Sequence, residues 1–128
     1  MAMDGLALVA DIGGTHARFA LVDPGAPRIE LLRPETLEGA RLASVQHAAR
    51  HYLDSVGARP RRAAIAVASP LTGDEVRMTN RAWSFLRGDL QAALGLDELR
   101  LLNDFGAVAY AIPALRPDDL VVLHGDPA

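Results

Sequence analysis

The chain has 128 residues, half of them hydrophobic and 23% charged, and this balance excludes an intrinsically disordered polypeptide. The net charge is only −3, with acidic and basic residues interspersed, so no basic face is available for nucleic-acid phosphates or an anionic membrane. The absence of cysteine excludes disulfides and thiolate zinc sites. We expect one soluble domain, cytoplasmic because the apolar run Leu6–Ala10 is too short for a signal peptide or a membrane span.

The first third of the sequence predicts three strands that meander. Leu6–Ala10 is a continuous apolar run that breaks into a glycine-containing turn at Asp11–Thr15, and a second strand follows at Ala17–Val22. Alternation along that second strand places Phe19 and Leu21 on one face and Arg18 and Ala20 on the other. After more turn residues, Ile29–Pro34 is predicted as the third strand.

The pattern then changes to helical spacing. Apolar residues recur every three to four positions over residues 39–56, which predicts an amphipathic helix that Gly57 ends. Ala63–Ala68 is a short apolar run, and a strand that follows a helix in this way is expected to lie parallel to the first strand in the same sheet.

The last part of the chain begins with a long connection, Ser69–Phe85, with one short hairpin near Gly73 and Asp74. The elements expected after it are a helix, a buried strand, a second helix and a final strand, at Leu86–Leu94, Leu99–Leu102, Phe105–Ile112 and Leu120–Leu123 respectively.

Two segments carry residues suited to chemistry, and each also has a purely structural explanation. The glycines of Asp11–Thr15 let backbone N–H groups approach a phosphate, and Asp11 suits a hydrated magnesium ion, but a Gly-Gly turn is also common in plain hairpins. Asp104 stands where a strand meets a helix amino terminus, where a carboxylate can accept a hydroxyl proton. Asn103 and Asp104 are equally good helix caps.

The positions of these segments favour a site. Both follow predicted parallel strands, as does Ser69, and ligands of open α/β sheets bind beyond the carboxyl ends of the strands. His47 and His51 are spaced like metal ligands on a helix, but a solvated helix surface explains them better. Trp83 either stacks on a sugar ring or anchors its loop, and anchoring is favoured.

Three blocks of the sequence resemble bacterial glucokinases, in the order that the family has them. They are Leu-Val-Ala-Asp-Ile-Gly-Gly-Thr-His-Ala-Arg-Phe-Ala-Leu at 8–21, the stretch from Ala66 to Asp74 continuing through Met78–Trp83, and Leu102–Pro113. The resemblance implies an α/β lobe with the actin-like ATPase (ribonuclease-H-like) fold, a mixed five-stranded sheet with helices on both faces.

The resemblance also implies roles for individual residues. Residues 10–15, namely Ala10, Asp11, Ile12, Gly13, Gly14 and Thr15, are expected to contact ATP, and Asp11 to help hold Mg²⁺. Asn103 is expected to bind sugar hydroxyls, and Asp104 to bind the sugar and act as the catalytic base. His16 departs from the family's usual asparagine, which leaves the glycine backbone donors intact.

The resulting prediction is transfer of the ATP γ-phosphoryl group to glucose, with residues 1–128 as the amino-terminal lobe. The second lobe, with the adenosine pocket and the rest of the sugar site, is expected beyond Ala128, so this chain alone is expected to be inactive. A kinase for another hexose or an amino sugar, a sugar-sensing regulator and an actin-like structural ATPase are the alternatives. Self-association into a homodimer is left open.

Overall fold

The computed structural model describes residues 5–13, 16–38, 44–68, 75–76, 84–103 and 105–115. In chain order its elements are β1 (Ala7–Ile12), β2 (His16–Val22), β3 (Leu32–Glu38), α1 (Val45–Val56), β4 (Arg62–Val67), β5 (Glu75–Val76), β6 (Phe85–Leu86), α2 (Arg87–Leu94), β7 (Glu98–Leu102) and α3 (Phe105–Ala111), which runs into a 3-10 turn at Ile112–Leu115. None of the helices in these ranges is long and apolar enough to cross a membrane.

Five strands form one mixed sheet in the order β3-β2-β1-β4-β7. β2 is antiparallel to both of its neighbours, β1 and β3, while β4 is parallel to β1 and β7 is parallel to β4. This arrangement confirms the predicted meander with two added parallel strands. It also confirms that strands separated by helical segments lie parallel, as crossover connections require.

The sheet is buried on both faces by helices. Tyr52 of α1 and Leu90 of α2 pack against the face that carries Phe19 and Ile65. Val108 and Ile112, from α3 and the 3-10 turn, pack against the other face of the sheet, together with smaller side chains such as Val9, Ala20 and Ala64. The predicted division of β2 is therefore confirmed, with Phe19 and Leu21 in one cluster and Ala20 in the other.

The position predicted for the third strand is wrong. β3 begins at Leu32 and ends at Glu38, whereas Ile29 and Leu31 are 52% and 39% exposed. The pairing of β2 with β3 determines this register, from His16 opposite Glu38 to Leu21 opposite Leu32, with a bulge in between. Because β3 is an edge strand, it tolerates a proline and several polar residues that made it hard to recognise in the sequence.

Tyr52 of α1 contacts both this edge strand and the core. Its hydroxyl donates a hydrogen bond of 2.7 Å to the carbonyl oxygen of Arg33, a residue of β3 whose φ of 53° is unusual for a side chain other than glycine. The ring of Tyr52 stacks on Phe19 with 5.4 Å between the ring centroids. Burial, together with the negative charge of Glu35, raises the pKa of Tyr52 to about 12.

This hydrogen bond predicts a specific alkaline loss of stability. The raised pKa means that the folded state prefers the neutral phenol, so the contribution of Tyr52 is complete below pH 10 and is lost as the pH rises through about 12. We expect Tyr52→Phe to cost about 1 kcal/mol at neutral pH. The variant should also show a smaller fall in unfolding free energy between pH 9 and pH 12, measured by urea titration.

The sequence simplifies that experiment, because it contains no lysine and no cysteine and only two tyrosines. Tyrosines are therefore the side chains that titrate between pH 9 and pH 12. Tyr110→Phe is the matched control. An equal fall in stability for wild type and Tyr52→Phe over that range would show that the phenol of Tyr52 is not held neutral by the fold.

Helix α1 begins later than predicted. Ser44 has an extended backbone, and its hydroxyl accepts a hydrogen bond of 3.0 Å from the His47 N–H, so it caps a helix that starts at Val45. Residues 39–43 lie outside the described part of the chain. The predicted end is confirmed, because Gly57 takes a left-handed φ of 72° and its N–H bonds to the Leu53 carbonyl.

In the long connection, β5 pairs antiparallel with β6. The residues around Gly73 and Asp74, where a hairpin was predicted, lie outside the described ranges, as do residues 120–123 of the predicted final strand. The second helix, the last described strand and the third helix are confirmed to within one residue at either end. β7 and α3 thus both lie beside β4. Asn103 lies in the chain between β7 and α3.

Candidate functional site

The carboxyl ends of three parallel strands meet at one edge of the sheet. Asp11 of β1 pairs with Ala66 of β4, and Ala66 pairs with Leu102 of β7, so these residues form one row across the sheet. Asn103 follows Leu102 directly. The backbones of β1 and β7 are two strand spacings apart, about 10 Å, with β4 between them.

The residues of the first segment divide into two groups. Ala10 and Ile12 are buried in the core on the side of α1, and the Ile12 carbonyl accepts a hydrogen bond of 3.1 Å from Ala68. Their side chains therefore pack in the core, and the ATP contacts predicted for these two residues stay predictions. Asp11 belongs to β1 rather than to the turn, and its half-buried side chain is on the opposite face, the side of α3.

Gly13 closes the turn between β1 and β2. Its N–H donates a hydrogen bond of 2.8 Å to the His16 carbonyl. Its φ is not in the left-handed region, and a Cβ at this position would meet only that carbonyl oxygen, at an ordinary 3.6 Å. Neither backbone strain nor local crowding therefore requires glycine at position 13, and a glycine here is suited to the close approach of a ligand.

Several of the predicted residues lie outside the described ranges: Gly14, Thr15, Asp104, Trp83 and Ser69. Asn103 is described and exposed at the end of β7. The roles predicted for all of these residues stay predictions.

One residue of this region, Arg18, is not among the site residues predicted from the sequence. Arg18 of β2 is the direct cross-strand partner of Asp11, and it is exposed. Direct partners in an antiparallel pair project from the same face of the sheet. Alternation along β2 predicted that Arg18 shares a face with Ala20. Only the pairing of β1 with β2 shows that Arg18 lies next to Asp11.

A cleft of about 130 Å³ lies beside Arg18, where the bulge separates β2 from β3. Its lining residues are Val9, Arg18, Phe19, Ala20, Leu31, Pro34, Glu35 and Thr36. Asp11, Gly13 and Asn103 are not among them, so this cleft is separate from the edge where the strands end.

The two histidines of α1 lie on the solvent-exposed surface of the helix, as predicted. His47 and His51 are both exposed. Among the described residues, no group of three or more histidine, aspartate or glutamate side chains is arranged to hold a metal ion.

Comparison with known proteins assigns this chain to a family. A family model described as Glucokinase matches residues 8–128. A glucokinase of Stenotrophomonas maltophilia strain K279a is 48% identical over 121 residues, covering 92% of this chain and 36% of its own. A glucokinase of Saccharophagus degradans is 42% identical over 116 residues, covering 89% and 36%. The chain thus spans about a third of the length of these relatives.

Solved structures agree in fold. The crystal structure of a glucokinase from an Antarctic psychrotroph matches with a TM-score of 0.75 and 40% identity, over 85% of this chain and 35% of that one. A glucokinase from Balamuthia mandrillaris, solved in complex with glucose, matches with a TM-score of 0.53 and 20% identity, over 84% and 32%. The fold is that of an actin-like, ribonuclease-H-like lobe, as predicted, and the chain belongs to the glucokinase family.

Proposed function

We propose that this chain forms one wall of the active site of an enzyme that transfers the γ-phosphoryl group of ATP to glucose, giving glucose 6-phosphate. The observation that supports the proposal is the row formed by Asp11, Ala66 and Leu102. Asp11 begins the predicted phosphate loop, and Leu102 directly precedes the predicted sugar residues. Membership of the glucokinase family supports the choice of reaction.

The proposed base is Asp104, between Asn103 and the first residue of α3. A carboxylate at that position accepts the proton of the attacking hydroxyl group, while Asn103 binds sugar hydroxyls and orients the ring. Phosphoryl transfer depends mainly on positioning and on stabilising charge, so a fixed base and a fixed sugar account for much of what this side of the cleft contributes.

The proposed phosphate site is the turn Gly13–Thr15. Backbone N–H groups of such a turn donate to phosphate oxygens, and the glycine at 13 leaves space for them. Asp11 fits a role in binding Mg²⁺, because magnesium in nucleotide sites is typically held by one or two carboxylates, by phosphates and by water. Bound there, the ion would neutralise charge on the phosphates.

The complete enzyme is proposed to close two lobes over ATP and sugar, with residues 1–128 as the amino-terminal one. The relatives, of which this chain covers 36%, are long enough for a second lobe of at least this size. A cytoplasmic location and a role in glycolysis follow from the same proposal. The homodimer stays a prediction.

The experiment that tests the function is a sugar panel with a glucokinase-length protein that carries this sequence. ATP-dependent phosphorylation of glucose, mannose, fructose, N-acetylglucosamine and N-acetylmannosamine is measured in a coupled assay with magnesium. We expect the highest kcat/KM for glucose. A preference for an amino sugar would identify the alternative kinase, and glucose binding without turnover of any sugar would identify a sensor.

A further inference from the structure

We propose that His47 and His51 of α1 form a two-histidine site for a divalent transition metal ion such as Zn²⁺. The two residues are four positions apart in a helix that continues from Val45 to Val56. Side chains with this spacing are neighbours on one face of a helix, with about 5–6 Å between their Cβ atoms. Two histidines at this spacing can therefore bind one metal ion together. The proposal does not depend on the proposed function.

Both imidazoles are accessible to a metal ion. His47 and His51 are exposed. The hydrogen bond from His47 to the Ser44 hydroxyl uses the backbone N–H and not the ring. Within the described ranges, neither imidazole takes part in an ion pair or a side-chain hydrogen bond. A metal ion that binds both rings would therefore break no interaction of the folded chain.

The helix that carries the pair is held in a fixed position. Ser44 caps its amino end, and Gly57 closes its carboxyl end in a left-handed conformation. Its opposite face is buried, with Ala48, Ala49 and Tyr52 fully inaccessible to solvent. The backbone on which the two rings depend is thus ordered before a metal ion arrives, which lowers the entropic cost of binding.

The charged residues beside the pair are already engaged. Arg50 donates a hydrogen bond of 2.8 Å to the Ala93 carbonyl at the end of α2, so its guanidinium is directed towards that helix. Asp54, three residues after His51, is paired with Arg59 at 3.2 Å. The described residues supply no third ligand. Water or donors of another molecule would complete the coordination, as in zinc sites that keep an open position.

The two nitrogen ligands also determine which cations the site takes. Imidazole suits zinc, copper and nickel, whereas Mg²⁺ requires oxygen ligands. Helix α1 packs on the face of the sheet that carries Phe19, and Asp11 lies on the face that carries α3. The site on α1 is therefore separate from the proposed magnesium site in both position and chemistry.

Calorimetric titration of the untagged 128-residue chain with ZnCl₂ tests the proposal, and MgCl₂ serves as the control ion. The chain has four histidines and no cysteine, so few other strong ligands compete. We expect one Zn²⁺ per chain. His47→Gln and His51→Gln should each weaken binding at least about tenfold, since even outer partners of metal ligands have effects of that size. The control His124→Gln should bind as wild type does, and Mg²⁺ should not bind at the pair.

Thermal unfolding with and without ZnCl₂ shows whether the folded helix creates the site. Saturating Zn²⁺ should raise the melting temperature of wild type by about 5 °C or more, because it binds the folded chain better than the unfolded one. Neither histidine variant should show this rise. Zn²⁺ affinity within about threefold between wild type and either variant would overturn the proposal. An affinity that stays unchanged in denaturing urea would overturn it as well.

Discussion

Replacing Asp104 with asparagine in a glucokinase-length protein that carries this sequence is expected to lower kcat by about 10²- to 10⁴-fold, the usual contribution of a general base. The amide has nearly the shape of the carboxylate but cannot accept the proton of the sugar hydroxyl. Asparagine is an equally good helix cap, so the melting temperature should not change. A coupled assay at saturating ATP and glucose, with thermal unfolding followed by circular dichroism, measures both effects.

Asp97→Asn is a suitable control for this prediction. Asp97 precedes the amino end of β7, whereas Asn103 follows its carboxyl end. The Asp97 carboxylate is paired with Arg61 at 2.7 Å on the surface. Its substitution should leave kcat unchanged. Near-normal turnover of Asp104→Asn, with the stability of wild type, would show that Asp104 is a helix cap and no more.

The 128-residue chain by itself is expected to fold but to show no useful glucose phosphorylation. Its described residues form a five-stranded sheet buried on both faces, which supports folding. Catalysis also requires that ATP and sugar be held in near-attack geometry in a closed cleft that excludes water, and the resemblance implies only one wall of that cleft here. The few remaining hydrogen bonds must compete with water and with the entropy of immobilising the ligands.

A coupled assay with the purified chain, ATP, magnesium and glucose tests this prediction, with circular dichroism to establish that the chain is folded. The glucokinase-length protein is the positive control. Turnover within about tenfold of a typical enzyme's rate of 10 s⁻¹ would contradict it. In that case size-exclusion chromatography should detect an assembly in which two copies build the site.

Some features of the fold could be read from local patterns because their causes are local. The continuous apolar run of β1 and the alternation of β2 reflect burial on the two faces of the sheet. The end of α1 at Gly57 reflects a left-handed φ that glycine adopts without strain. The start of α1 could have been read as well, since Ser44 is a preferred cap, but the helical spacing continued upstream of it and hid the signal.

Other features have no local cause. β3 is an edge strand in which Pro34 and exposed polar residues obscure the pattern, and its register depends on pairing with β2 and on the Tyr52 hydroxyl at Arg33. A more apolar segment, Ile29–Leu31, precedes it and misled the prediction. Such an assignment depends on contacts between residues about 20 positions apart, which no window of the sequence contains.

The sequence by itself determined the family, the order of the elements and the residue types suited to phosphate and sugar, because these depend on motifs and on periodic burial. Tertiary structure alone decided which of those residues share an edge and a face. Parallel pairing aligned Asp11 with Leu102, and antiparallel pairing placed Arg18 beside Asp11 while turning Ala10 and Ile12 into the core. The physical reason is that strand register depends on hydrogen bonds between distant segments, and a shift of one residue would reverse the face of every side chain in the strand.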